Sequence, residues 1–514
     1  MRAAIYACLY AKEFPVQALL RLRPELREQA CVVMEGDPPL ELVCSLNRRG
    51  RTLGLARGMT RVEVDTFSGV TVLARSLEEE AGAKAALLEC AGGFSPRIED
   101  AIASGAFLCV LDIAGTEKLF GPPEALARNL LTRVRSLGVI ACAAVSVNFH
   151  AAVVLAKGQP PRAPVQCIRA GEEAATLAPL PLAVLDLSEE QAEIFSLWGI
   201  RTLGMLAALP ENELIARMGQ PGKLLRQMAR GERPHLLQPQ EPRFALEERM
   251  ELETPVEALD ALLFVVNRML EQLILRAAAR VLALAEVTVT LTLERIESSS
   301  VPAQQHEAPT HSRTVRPAVP TNDQALWLKL LHLDLEAHPP QAAILAVALE
   351  AEPGSTSKVQ LGLFSPQLPE PSRLDVTLAR IRALVGESNV GCAALEDTHR
   401  LDGFRMEPFC IPTAPPTFRE PASLRPATRR LRPAEAVFVT LQAERPQSFI
   451  FRERRYTVER TYGPWRSSGD WWNSSLWGCE QWDLIARGGD HSLLHCCFVR
   501  DVLRDAWQMV ALYD

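Results

Sequence analysis

The sequence predicts a multidomain α+β chain: a mixed sheet domain, a helical domain, a small α+β domain and a β-rich C-terminal domain. Three observations carry this. The 514 residues exceed what a single core ordinarily holds. Over the first third, short apolar runs alternate with helical patterns, which is the layout of a sheet flanked by helices. Six of the eight Trp lie between Trp465 and Trp507, in a stretch unlike the rest of the chain.

The elements follow in order. IYACLY, from Ile5, reads as a buried strand that turns at Lys12-Glu13-Phe14-Pro15 into a helix. ELVCSL (41–46), GVTVLA (69–74), FLCVLDIAG (107–115) and VIACAAVSV (139–147) read as further strands. PPEALARNLLTRVRSLG (122–138) is an amphipathic helix with Pro in its first turn and Gly138 at its end. Residues 176–235 are helical segments on short turns, and Ser188 followed by Glu190-Gln191 matches a capping box. Beyond Thr254 comes a long amphipathic helix, then the strictly alternating strand EVTVTLTLE (286–294). A polar hairpin loop over 297–321 precedes a second helix and the strand AAILAVALEAE (342–352). Pro and Ser recur through 353–372 and Pro clusters at 408–433, reading as linkers. These features divide the chain into 1–170, 171–238, 239–352, a linker with a short helical segment at 353–433, and a Trp-rich domain at 434–514.

Composition narrows the function. Hydrophobic residues at 48% and charged residues at 23% describe a globular chain. No apolar run approaches the roughly 18 residues of a membrane span, and the start lacks the layout of an export signal, so a cytoplasmic place is expected. The twelve Cys are scattered, without CxxC pairs or zinc spacing, and read as reduced core residues. His491 and His495 stand four apart but lack supporting ligands, so no metal and no cofactor is expected. The net charge of −7 does not describe a strongly basic nucleic-acid binder. From Arg419 to Arg466, however, eleven Arg face five Glu. That basic stretch suits nucleic acid or an acidic partner, or it is a solvated surface. GxxxxGK[ST], HExxH and GxSxG motifs are absent from the sequence.

Five segments, in order, resemble the Y-family translesion DNA polymerases: SLNRRGRTLGLARGM (45–59), FSPRIED (94–100), VLDIAGTEKLFG (110–121), WGIRTLGMLAALP (198–210) and MARGERP (228–234). The resemblance implies palm and fingers over 1–170, a helical thumb over 171–238 and a little finger over 239–352. Nucleotidyl transfer in that family needs two divalent cations clamped by carboxylates. Ungapped alignment places the first aspartate on Cys8 and the aspartate-glutamate pair on Phe107 and Leu108, so the catalytic ligand positions are lost. The aromatic that screens out ribonucleotides falls on Glu13. The finger tyrosine becomes Arg48, Arg51 keeps the finger arginine as a residual nucleotide-site residue, and the palm lysine falls on Val153. Asp112 aligns with a structural residue, and Asp65 reads as a surface or capping carboxylate. The helix-hairpin-helix glycines of the thumb fall on Asp186-Leu187-Ser188, which implies weak DNA contact because Asp186 repels phosphate.

This pattern resembles the catalytically inactive ImuB branch of the family, and the tail segments TYGPWRSSGDWWNSSLW (461–477) and EQWDLIARGGD (480–490) are similar to that branch's C-terminal domain. The resemblance implies a pseudoenzyme of damage-induced mutagenesis and the SOS response, with ImuA, an error-prone C-family DNA polymerase and the sliding clamp (beta subunit) as partners. QLGLF, with Gln360, Leu361, Leu363 and Phe364, resembles the bacterial clamp-binding pentapeptide; the other reading is an ordinary packing segment. Trp465, Trp471 and Trp472 are candidates for partner docking, or the Trp residues form a domain core. RPATRRLRPAE (425–435) is either an extended arm or a linker. The rival function is a residual DNA-directed DNA polymerase.

Overall fold

The computed structural model describes residues 4–101, 105–159, 163–241, 244–295, 308–317, 319–355, 371–386, 389–396, 403–407, 428–469 and 477–513. The chain forms two compact units, Met1–Ala383 and Leu384–Asp514.

The first unit opens with β1 (Tyr6–Lys12) and α1 (Phe14–Leu22), joined at Glu13. Next come β2 (Ala30–Glu35), β3 (Leu42–Leu46), α2 (Arg48–Thr52), α3 (Arg61–Val64) and β4 (Val70–Ala74). The order β3-β2-β4 makes a small sheet of its own. The chain continues through α4 (Leu77–Gly92), β5 (Ile98–Ala101), β6 (Ala106–Asp112), α5 (Glu117–Phe120), α6 (Pro123–Ser136), β7 (Cys142–Ser146), α7 (Phe149–Gly158) and β8 (Val165–Cys167). Here the main sheet has the order β5-β6-β1-β7-β8, with β1 antiparallel to both neighbours. Its centre is β1, whose period-two pleat sends alternate side chains into two separate cores. Leu9 and Ala11 meet Phe107, Leu111 and Leu130 on one face, whereas Cys8 meets Val110, Ala144 and Val153 on the other. Helix α6 ends as its sequence indicates: Gly138, at φ 86°, donates to Arg135 O while Val139 donates to Val134 O, a Schellman closure that a left-handed glycine permits.

Short helices follow: α8 (Glu173–Leu177), α9 (Glu189–Leu197), α10 (Leu203–Ala208) and α11 (Glu211–Arg230), the last kinked at Gly219. They complete the core on the Cys8 side through Leu177, Phe195, Leu203 and Leu214. The expected capping box at Ser188 is formed with Gln191.

The remaining elements of this unit are β9 (Leu246–Val256), α12 (Leu259–Ala279), β10 (Leu282–Leu293), β11 (Thr310–Val315), α13 (Gln324–Ala337), β12 (Ile344–Ser355) and α14 (Pro371–Val385), which reaches the boundary. The sheet order is β11-β10-β12-β9. Trp327 sits fully buried among Leu270, Leu273 and Val347, with its indole N–H donating to Thr321 O at 3.0 Å. Two sequence readings need correction. The polar stretch 297–321 contains strand β11, held at the sheet edge partly by Thr288–Thr314 and Thr290–Ser312 hydroxyl bonds. Strand β9, absent from the sequence reading, pairs with β12.

Buried charges join β9 and α12 to α1 and α4. Arg21 pairs with Glu248, Arg276 bridges Glu248 at 3.0 Å and Glu89 at 2.6 Å, and Arg23 pairs with Glu79 at 2.7 Å. Glu79 also accepts from Glu251 N at 3.0 Å, and Arg23 donates to Glu251 O at 2.6 Å. Three guanidinium groups thus meet three carboxylates, all buried, which is the condition under which charge is tolerated in an interior.

The second unit holds a two-stranded pair, β13 (Cys392–Leu395) with β14 (Phe404–Glu407), and a seven-stranded antiparallel sheet. Its strands are β15 (Thr428–Ala436), β16 (Phe438–Gln442), β17 (Arg445–Phe451), β18 (Arg454–Ser468), β19 (Gly478–Gly488), β20 (Leu493–Asp501) and β21 (Ala506–Tyr513). The order is β15-β21-β20-β19-β18-β17-β16. Phe449, Trp482, Phe498 and Met509 fill its core. The β-rich expectation agrees with this sheet. The segment read as an arm or linker contributes β15, so the sheet begins at Thr428, earlier than the composition suggested. Among the described residues, no helix is long and apolar enough to cross a membrane.

Candidate functional site

The site is built at the middle of the main sheet. In register, Cys8 lies opposite Val110 and Ala144, Tyr10 opposite Leu108, and Ala11 opposite Phe107. Cys8 and Leu108 therefore share one face with Val153 and Phe149. Phe107 points into the other core, its ring tilted against Phe14 with centroids 5.6 Å apart. The alignment puts Phe107 and Leu108 side by side at the lost pair position; the pleat turns them to opposite faces of the sheet. Cys8 is fully buried, and burial pushes its thiol well above the ordinary range, with Cys109 and Cys142 nearby adding to the rise. A neutral thiol and a leucine in a dry core do not fit a hard divalent cation, which demands oxygen ligands. Among the described residues, no group of three or more His, Cys, Asp or Glu is placed to hold a metal.

The other carboxylates near this sheet have structural partners. Asp112 is buried; its Oδ1 accepts from Ala114 N at 3.1 Å and its Oδ2 pairs with Arg97 at 2.6 Å. Asp65 is the C-cap of α3 and pairs with Arg61 one turn earlier at 3.0 Å. Val153 is buried on α7, one turn before Lys157, whose ammonium pairs with Asp186. Ser188 and Gln191 exchange hydrogen bonds at 3.2 Å, so the Ser188 and Gln191 N–H donors are already occupied by the chain itself.

Beside the sheet, Arg51 donates to Glu13 Oε1 at 2.9 Å, and Arg57 donates to Glu13 Oε2 through Nε at 3.1 Å and Nη2 at 2.7 Å. Sequence reasoning singled out Glu13 and Arg51 separately and missed Arg57. The signal available was an acidic residue at the strand-to-helix turn and a second arginine in the same basic segment. Farther along the sheet edge, His235 bonds Glu99 at 2.9 Å and stacks on Phe149. His150, in the same cluster, is held near pKa about 4 by burial first, then by Arg233 and His235.

Gln360, Leu361, Leu363 and Phe364 lie outside the described residues, as do Trp471 and Trp472. Trp465 is half-exposed on β18 beside a register shift, while Trp482 belongs to the core. The core reading therefore holds for Trp482.

The impB/mucB/samB family matches residues 9–157. The protein ImuB of Caulobacter vibrioides is 26% identical over 394 residues, covering 74% of this chain and 80% of its own length. The chain is an ImuB-like, Y-family polymerase-like protein. DNA polymerase IV of Dehalococcoides mccartyi is 29% identical over 217 residues, covering 41% of this chain and 54% of that enzyme. Among solved structures, an insertion ternary complex of Dbh DNA polymerase covers 68% of this chain and 98% of its own, at 17% identity and TM-score 0.40. DinB from Sulfolobus solfataricus covers the same shares at 16% identity and TM-score 0.39. The ImuB-like match extends well beyond the sheet region, and the 7-stranded sheet at the C-terminus adds to the polymerase-like core.

Proposed function

We propose that this chain is a non-catalytic adaptor of error-prone translesion synthesis at damaged DNA. The observation that carries the reading is the apolar environment at the aligned ligand positions: Cys8 and Leu108 in one dry core, Phe107 in the other. Such surroundings reject hydrated cations and leave the scaffold without its chemistry. An adaptor needs attachments instead. QLGLF supplies the features of a clamp ligand: Leu363 and Phe364 as apolar anchors and Gln360 as a polar contact. The C-terminal unit, with Trp465 on its surface, is the part we assign to recruiting ImuA and an error-prone C-family polymerase.

The test is a pull-down of the full chain with sliding clamp, ImuA and the C-family polymerase. Replacing Gln360, Leu363 and Phe364 with Ala abolishes clamp capture and leaves the other two partners bound. Unchanged clamp capture removes the assignment to QLGLF. A residual polymerase is the second reading, favoured by the 29% identity to a DNA polymerase IV over 217 residues.

A further inference from the structure

Glu13 has a geometry that a surface carboxylate does not need. It stands at φ 56°, in the left-handed region that non-glycine residues seldom adopt, and is buried at the turn between β1 and α1. Phe14 N donates to Gly105 O at 3.1 Å immediately after it. From this turn the carboxylate reaches across to β3, α2 and the loop beyond. Oε2 accepts from Ser45 Oγ at 2.9 Å, Leu46 N at 3.3 Å and both Arg57 nitrogens, while Oε1 accepts from Arg51. Two guanidinium groups, one of them through two nitrogens, a hydroxyl and a backbone N–H converge on one pair of oxygens, the kind of donor set that recognises a phosphate group. The carboxylate is nearly covered, at 10% exposure, yet the Arg51 and Arg57 side chains are 48% and 43% exposed. The cradle therefore opens to solvent and its inner end is already filled. One carboxylate against two arginines leaves a surplus positive charge.

We propose that Glu13 is a built-in anion that occupies a phosphate cradle formed by Arg51, Arg57, Ser45 and Leu46 N, and so closes it to polyphosphate ligands such as nucleoside triphosphates. The same bonds hold the left-handed turn in place, so the filled cradle and the entry to α1 are one device. This rests on Arg51 keeping an anion-binding place in an otherwise apolar site. The readout is metal-free binding, so its failure is separate from failure of the adaptor reading.

The experiment is isothermal titration of the full chain with inorganic tripolyphosphate in the presence of a chelator. Glu13→Gln binds at least about tenfold tighter than the unaltered chain, a gain of about 1.4 kcal/mol. Adding Arg51→Ala to Glu13→Gln erases the gain. Thermal unfolding establishes that the variant is folded; a folded Glu13→Gln that binds no tighter, or a gain that survives Arg51→Ala, overturns the proposal. Should Glu13→Gln fail to fold, Arg51→Ala alone decides. With the cradle already filled, it leaves tripolyphosphate binding unchanged, and a fall of about tenfold overturns the proposal.

Discussion

Removing Glu248 perturbs the first unit most instructively. Its side chain is fully buried and accepts from Arg21 through both terminal nitrogens and from Arg276 through Nη1 at 3.0 Å. In Glu248→Ala, Arg276 keeps Glu89 and the carbonyl of Glu247. Arg21, itself buried, loses its carboxylate. A hydrogen bond to a charged group contributes about 1.5–3 kcal/mol, and breaking a buried pair costs about 3–5 kcal/mol because a charge stays behind unpaired. The loss for Arg21 dominates, so Glu248→Ala lowers the opening free energy of β9 and α12 by about 3–5 kcal/mol. The surface pair Arg249–Glu78 is the control: Glu78→Ala costs about 1 kcal/mol or less. Hydrogen exchange of peptides spanning 246–279 and 77–92, read at several urea concentrations, measures both. A change below about 1 kcal/mol for Glu248→Ala refutes the reasoning, since it means that Arg21 and Arg276 find water or other partners at no cost.

Further outcomes follow from the same physical terms. Cys8→Asp buries a carboxylate in an apolar core and destabilises the first unit by about 3 kcal/mol or more without creating metal binding; calorimetry with Mn²⁺ that shows a new site contradicts this. His150 has a folded pKa near 4, below its unfolded value, so the native state binds fewer protons and stability falls as pH drops from about 6.5 toward 4. His150→Phe flattens that slope, and an NMR titration midpoint above 6 removes the explanation. Alkylation of the native chain labels exposed Cys167 before Cys8, whose thiol is buried and held protonated; equal rates by mass spectrometry mean that the core is open.

What was legible in the sequence follows from periodicity and its limits. EVTVTLTLE and PPEALARNLLTRVRSLG have one dominant period each, and both became the elements expected. Helix α7, FHAAVVLAKG, is apolar on most sides because both neighbouring layers cover it, and helix α4 is Ala-rich; neither presents one apolar stripe, and neither was found. Strand β11, THSRTV, is too polar for a hydrophobic signal, and its state comes from pairing with β10. At the site, Cys8, Phe107 and Leu108 were identified by alignment, but their division between two faces needed the register. The Glu13–Arg57 bonds span 44 residues and the Arg21–Glu248 bonds 227, separations at which no local pattern encodes a partner. The turn at Asp186-Leu187-Ser188 was read through Asp186, which pairs with Lys157, while Ser188 N is taken up by the Gln191 side chain.

On the proposed adaptor reading, this polymerase-like scaffold has no nucleotidyl-transfer chemistry. Primer extension by the full chain on undamaged and lesion-bearing templates, with magnesium or manganese, tests it most directly. The expected result is no extension above a no-protein background with either metal. Extension at the level of an active Y-family enzyme, by protein free of contaminating polymerase, contradicts it.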